Sequence, residues 1–236
     1  MPLHVDVHGS GPRTAVLLHG MMGSAESWWR ISPLLVSRGY RVLAVDLPGH
    51  GLSPRDDRLT IPRAADAVAD AVDALGVTGV DVAIGHSFGG LVLAAGAERL
   101  RPAIAVYVDS PFTSRGGAVA ADVTAEYENA RARRTVAGLR ATHPLYGEED
   151  CNVEARAADR FDAATGAAVA AGPGGSWPPA PGSIMVRPEP SRYVTAEQAA
   201  ALEAAGVQVR SIPGASHSVW YGHFDEFVAA LPEVFG

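Results

Sequence analysis

The chain has 236 residues, 47% of them hydrophobic, and a formal net charge of -7. That is enough material for one sizeable α/β core, and the charge has the wrong sign for a nucleic-acid partner. All 19 cationic side chains are Arg, and the single cysteine, Cys151, leaves no internal disulfide to form, so no oxidising compartment is implied. The opening residues lack the basic and apolar regions of a secretion leader, and no apolar run is long enough for a bilayer. A cytoplasmic setting with no membrane partner is expected.

In chain order, short runs rich in Val, Ile and Leu recur at 3–7, 14–18, 41–45, 80–84, 104–108, 183–186 and 207–212. Several are continuously apolar, the pattern of strands covered on both faces of a parallel sheet. Helical stretches are expected between them at 25–38, 61–75, 88–100, 195–205 and 223–234. Helix alternating with strand predicts a mostly parallel, doubly wound α/β sheet. Ligands on such sheets sit beyond the carboxyl ends of the strands. The alternation lapses between 110 and 183. Helices are expected there at 124–139 and 153–169, and the Gly/Pro tract 172–182 is expected to be irregular. The chain then divides into a first core part, 1–112, a helical cap or lid, 113–182, inserted before the penultimate strand, and a second core part, 183–236.

Gly85, His86, Ser87, Phe88 and Gly89 follow one apolar run and open a helix-compatible one. A strand, a Gly-x-Ser-x-Gly turn and a helix in succession form a nucleophile elbow. So sharp a turn strains the backbone at the serine, and a Cβ on either flank would collide with its neighbours. The Ser87 hydroxyl is thereby pushed into the open at a helix N-terminus, where N–H groups and the helix dipole favour developing negative charge. Ser87 is the candidate nucleophile, and the backbone N–H of Phe88 a candidate oxyanion donor.

With the elbow stand other motifs in a telling order. His19, Gly20, Met21 and Met22 follow the second apolar run, Asp46-Leu47-Pro48-Gly49-His50-Gly51-Leu52-Ser53 follows the third, and Gly214-Ala215-Ser216-His217 follows the last. Together these resemble the α/β-hydrolase superfamily, over nearly the whole chain except the lid. The resemblance implies the α/β-hydrolase fold and a serine hydrolase without cofactor or metal, acting on a small molecule. It makes His217 the general base and the N–H of Met21 the second oxyanion donor. The acid departs from the family pattern, because its usual position after the 183–186 strand carries Ser191. Asp109, at the end of the 104–108 strand, occupies an alternative position used by some members and is preferred. Glu189, in the customary loop but displaced by two residues, is the rival.

Met22, Trp28, His86, Trp177 and Trp220 are the residues expected to wall the substrate pocket, giving an aromatic, apolar cavity suited to an ester, thioester or lactone. Arg131, Arg133, Arg134 and Arg140 in the lid read as a solvated helix face balanced by Glu126 and Glu128, with docking of an anionic partner as the sharper alternative. Two other functions stay open: carbon–carbon bond hydrolysis or lyase chemistry on the same triad, and a ligand-binding member of the fold with weak catalysis.

Overall fold

A computed structural model describes residues 2–236. Its strands, in chain order, are β1 (Val5–His8), β2 (Arg13–Leu18), β3 (Tyr40–Val45), β4 (Val82–His86), β5 (Ile104–Val108), β6 (Thr113–Gly116), β7 (Pro173–Ser176), β8 (Ile184–Glu189) and β9 (Gln208–Pro213). Seven of them form one sheet in the order β1-β3-β2-β4-β5-β8-β9. Only β1 runs antiparallel to its neighbour; the other pairings in the sheet are parallel. Strand β2 shows why its sequence is continuously apolar: Ala15 and Leu17 enter the core on one face, Val16 and Leu18 the core on the other.

On one face, α2 (Ile61–Ala74) and α3 (Phe88–Leu100) cover the sheet through Val68, Leu91 and Val92. Thr60 starts α2 by accepting a hydrogen bond from the Arg63 N–H, and Pro62 sits in the first turn, where a missing N–H costs nothing. On the opposite face lie α1 (Ile31–Ser37) and three short helices at the end of the chain, α9 (Val219–Gly222), α10 (Phe224–Ala229) and α11 (Pro232–Phe235). Their apolar side chains pack around Trp28, Ile31, Trp220 and Phe227. The remaining core helix, α8 (Ala196–Ala204), is opened by a Thr195–Gln198 capping box.

Several expected helices are interrupted. The 25–38 stretch is a 3-10 turn, Ala25–Trp28, followed by α1. Pro33 lacks an N–H and fits only the first turn of a helix, so α1 begins just before it. The 223–234 stretch breaks for the same reason ahead of Pro232. In the insertion, 124–139 divides into α4 (Ala120–Arg133) and α5 (Val136–Thr142), where Thr135 caps the Gly138 N–H. Likewise 153–169 divides into α6 (Glu148–Arg160) and α7 (Ala163–Ala171), where Asp162 caps the Thr165 N–H. The tract expected to be irregular contains β7, which pairs antiparallel with β6, Thr113 opposite Ser176. Pro173 is tolerated there as the first residue of the strand.

The insertion is stitched to the core at several points. Ser27 donates to Glu154, Trp29 to Asp150, and the Asp162 N–H to the Gly49 carbonyl at 2.8 Å. Thr165 accepts the Asp56 N–H. Among the described residues no helix is long and apolar enough to cross a membrane.

Strand and helix approach one another tightly at the elbow. A Cβ on Gly89 would lie 2.3 Å from the Leu18 carbonyl oxygen and 2.4 Å from that of His19. Gly89→Ala is expected to destabilise the fold by about 1–3 kcal/mol in urea unfolding. Gly79→Ala, whose methyl meets nothing within 4 Å, should stay within about 0.5 kcal/mol of the parent.

Candidate active site

The parallel register brings two strand ends together. His86 of β4 lies opposite Val108 of β5, so Ser87 and Asp109 leave the sheet side by side at its carboxyl edge. Both are held in left-handed backbone conformations, φ 50° at Ser87 and φ 42° at Asp109, which non-glycine residues adopt only when their surroundings enforce it. The enforcement is visible: the Ser87 N–H donates to Val108 and the Asp109 N–H to Val186. The Ser110 hydroxyl braces the Ser87 carbonyl at 2.8 Å.

His217, in the loop between β9 and α9, reaches back across β8. Its Nδ1 lies 2.6 Å from Asp109 Oδ2. A carboxylate can only accept, so Nδ1 carries the proton and Nε2 presents a lone pair. Asp109 is only 1% exposed, and its other oxygen is also occupied. The Ser191 hydroxyl donates to Oδ1 at 2.5 Å while accepting the N–H groups of Tyr193 and Val194. Ser191 therefore keeps contact with the carboxylate from the customary acid position. Glu189 turns elsewhere, to Arg187 Nη2 at 3.3 Å, and its side chain is half exposed.

The motif turns are braced by their own side chains. His19 donates from Nδ1 to the Gly20 carbonyl and accepts the Leu47 N–H at Nε2. Asp46 accepts the N–H groups of Ala25 and Leu52. Neither the Met21 nor the Phe88 N–H donates to another backbone group among the described residues. His86 donates from Nε2 to the His217 carbonyl at 3.1 Å and packs edge-on against Trp220.

Ser87, His86, His217, Trp220, Gly20 and Met21 are among the residues that line a cavity of about 170 Å³. The rest of the lining corrects the expectation of an apolar pocket: it includes Arg134, His143, Tyr146 and Glu154 from the insertion, together with Tyr193. Arg134 is thus no part of a solvated helix face. It pairs with Glu154, which also accepts from Ser27 and Tyr221. Three residues expected in the pocket lie outside it. Trp28 is fully buried in the core, stacked on Trp220 at 4.6 Å. Met22 packs against Phe161 and Ala163, and Trp177 against the core on the α2–α3 face. Larger hollows of about 510 and 710 Å³ open beside Arg58 and beside Trp29, away from these groups. Among the described residues no cluster of three His, Cys, Asp or Glu could hold a metal ion.

A strained serine at a strand–helix turn, with an Asp–His pair brought together across the carboxyl edge of a parallel sheet, is the arrangement of a hydrolase-type α/β fold. A family model described as Alpha/beta hydrolase family matches residues 15–230, and the chain belongs to that family. The dihydrolipoyllysine-residue acetyltransferase component of an acetoin cleaving system from Cupriavidus necator is 36% identical over 129 residues, 53% of this chain and 33% of that protein. Methylesterase 1 of Arabidopsis thaliana is 35% identical over 96 residues, 39% of this chain and 36% of its own length. The matches span about a third of the length of these curated relatives. An esterase from Exiguobacterium antarcticum shares the fold with a TM-score of 0.78 at 16% identity, over 99% of this chain and 95% of that one.

Three histidines around the site are buried, and burial is the main cause that holds each below its ordinary value: His19, His86 well below 6.5, and His50 down to about 3. Folded, they stay neutral where the unfolded chain takes up protons. Stability should be complete above pH 6.5 and fall progressively as the pH drops toward the folded value near 3. Urea unfolding measured from pH 8 downward checks this, and a flat profile through pH ~5 would contradict it.

Proposed function

We propose that the protein is a serine hydrolase that cleaves an ester-type bond of a small molecule through an acyl-enzyme at Ser87. The observation that carries this reading is the 2.6 Å contact between His217 and the buried Asp109, in the cleft that Ser87 lines. A free serine hydroxyl attacks poorly at neutral pH. His217 Nε2 takes its proton as Oγ bonds to the ester carbon, and Asp109 stabilises the imidazolium that forms. The N–H groups of Met21 and Phe88 receive the oxyanion, each contributing about 3 kcal/mol. His217 then hands the proton to the departing alcohol, and a water repeats the sequence to release the acid.

The ester assignment is supported by family membership and by a curated relative named as a methylesterase. The insertion, 113–182, acts as a cap whose inner side chains select the substrate, since four cleft residues belong to it.

A fluorophosphonate probe should label Ser87 in the parent protein and leave Ser87→Ala unlabelled; an unlabelled parent would sink the reading. With p-nitrophenyl acetate, Asp109→Asn is expected to lower kcat by up to about 10⁴-fold, whereas Glu189→Gln should change it by less than about twofold. Equal losses in the two variants would remove Asp109 from the mechanism. Ser191→Ala deletes one charge-assisted hydrogen bond and should lower kcat about tenfold with little change in KM. A loss confined to KM would instead place Ser191 in substrate binding.

A further inference from the structure

Arg134 enters the cleft from the end of α4 with donors to spare. A guanidinium carries five N–H groups, and Arg134 makes its one hydrogen bond to a described residue from Nη2 to Glu154 Oε2. Its Nε is buried with no acceptor. Glu154 is the opposite case. Its carboxylate, 5% exposed, takes Ser27 Oγ at 3.0 Å, Tyr221 Oη at 2.7 Å and Arg134 Nη2. Both oxygens of the anion are engaged, whereas the cation has donors without an acceptor. Glu154 therefore fixes the guanidinium through Nη2, and Nη1, which makes no hydrogen bond to a described residue, is the donor left for the occupant of the cleft.

The rest of the lining offers no second carboxylate for them. Asp109 is buried behind His217 and fully engaged by His217 and Ser191. Burial, the main cause, holds His86 well below its ordinary value, and the Arg134 charge adds to it. Burial likewise holds His143 below its ordinary value, and keeps the Tyr146 phenol protonated. Arg134 is the one arginine among the residues that line the cleft. The cavity of about 170 Å³ is well below the ~300–1,000 Å³ of pockets that hold drug-sized ligands. It suits a compound of a few carbons.

We propose that the preferred substrate is a short ester bearing a carboxylate, and that Arg134 is the specificity-determining residue that binds this carboxylate while Ser87 attacks the ester, a reading that rests on hydrolysis at Ser87. The planar fork of Arg matches a carboxylate, and such pairs gain from low local polarity and fixed geometry.

Monomethyl succinate and its neutral isostere, methyl succinamate, differ only in the charge of the distal group and give the direct test. The parent protein is expected to show kcat/KM about tenfold or more in favour of the anionic ester. Arg134→Gln alone strands a buried carboxylate and invites misfolding, so the variant to measure is Arg134→Gln/Glu154→Gln, with its fold checked by circular dichroism. There the ratio should fall to about one. A ratio near one in the parent, or a tenfold ratio that survives in the double variant, overturns the assignment. Succinate binding, followed by ligand-observed NMR on Ser87→Ala, separates this from the chemistry. Binding that disappears when the double substitution is added supports Arg134 even if the parent is never labelled by fluorophosphonate, a result that would sink only the serine mechanism. Absence of succinate binding, with Ser87 labelled normally, overturns the carboxylate assignment and leaves the hydrolase standing.

Discussion

The hydrogen bond between Asp109 and His217 is the constraint around which the site is arranged. It joins the end of β5 to the loop after β9 and so has to cross the end of β8. A buried carboxylate is costly unless its oxygens are answered, and here each oxygen has one donor, His217 on one side and Ser191 on the other. The loop leaving β8 is therefore coupled to Asp109 through Ser191. The left-handed backbone at Asp109 turns the side chain out of the strand direction and toward the histidine, and the Val186 carbonyl holds that turn through the Asp109 N–H.

The same economy shapes the cleft. The large aromatic groups nearby are spent on the core: Trp28 stacks on Trp220, and Trp220 and Tyr221 both reach the Ser27 carbonyl. Ser27 in turn donates to Glu154, so the aromatic core and the polar ceiling of the cleft share one residue. The cleft lining is correspondingly mixed, with Arg134, His143, Tyr146 and Glu154 beside Met21 and Trp220. In the proposed mechanism this geometry puts the reacting serine beneath a fixed cation.

The sheet was legible in the sequence because its strands are covered on both faces, which turns each one into an unbroken apolar run such as Ala15-Val16-Leu17-Leu18. The elbow was legible because strand, turn and helix are consecutive in sequence, and Gly85 answers to Gly89 and Gly90 of its own turn, although Gly89 answers to Leu18 and His19 at the end of β2. The insertion was harder. Its helices break at Thr135 and Asp162, single capping residues inside otherwise helical stretches, and local spacing passes over them. Strand β7 has no strand signal of its own and exists because β6 offers it a partner. The pocket residues were the least legible. Trp28 and Trp220 stack on each other, yet only Trp220 lines the cleft. Arg134 is separated from Arg131 and Arg133 only by the end of α4, which aims it inward to Glu154 while Arg131 pairs with Glu128.

The seams between insertion and sheet carry a consequence for evolution and engineering. Main-chain contacts such as Asp162 to Gly49, and buried ones such as Ser27 to Glu154, tie the two regions together. Transplanting a foreign cap onto this scaffold would remove the acceptor for Ser27, the acceptor for Trp29 and the anchor of the Gly49 turn at one stroke. Selectivity in this chain is therefore better retuned one side chain at a time than by exchange of the whole segment.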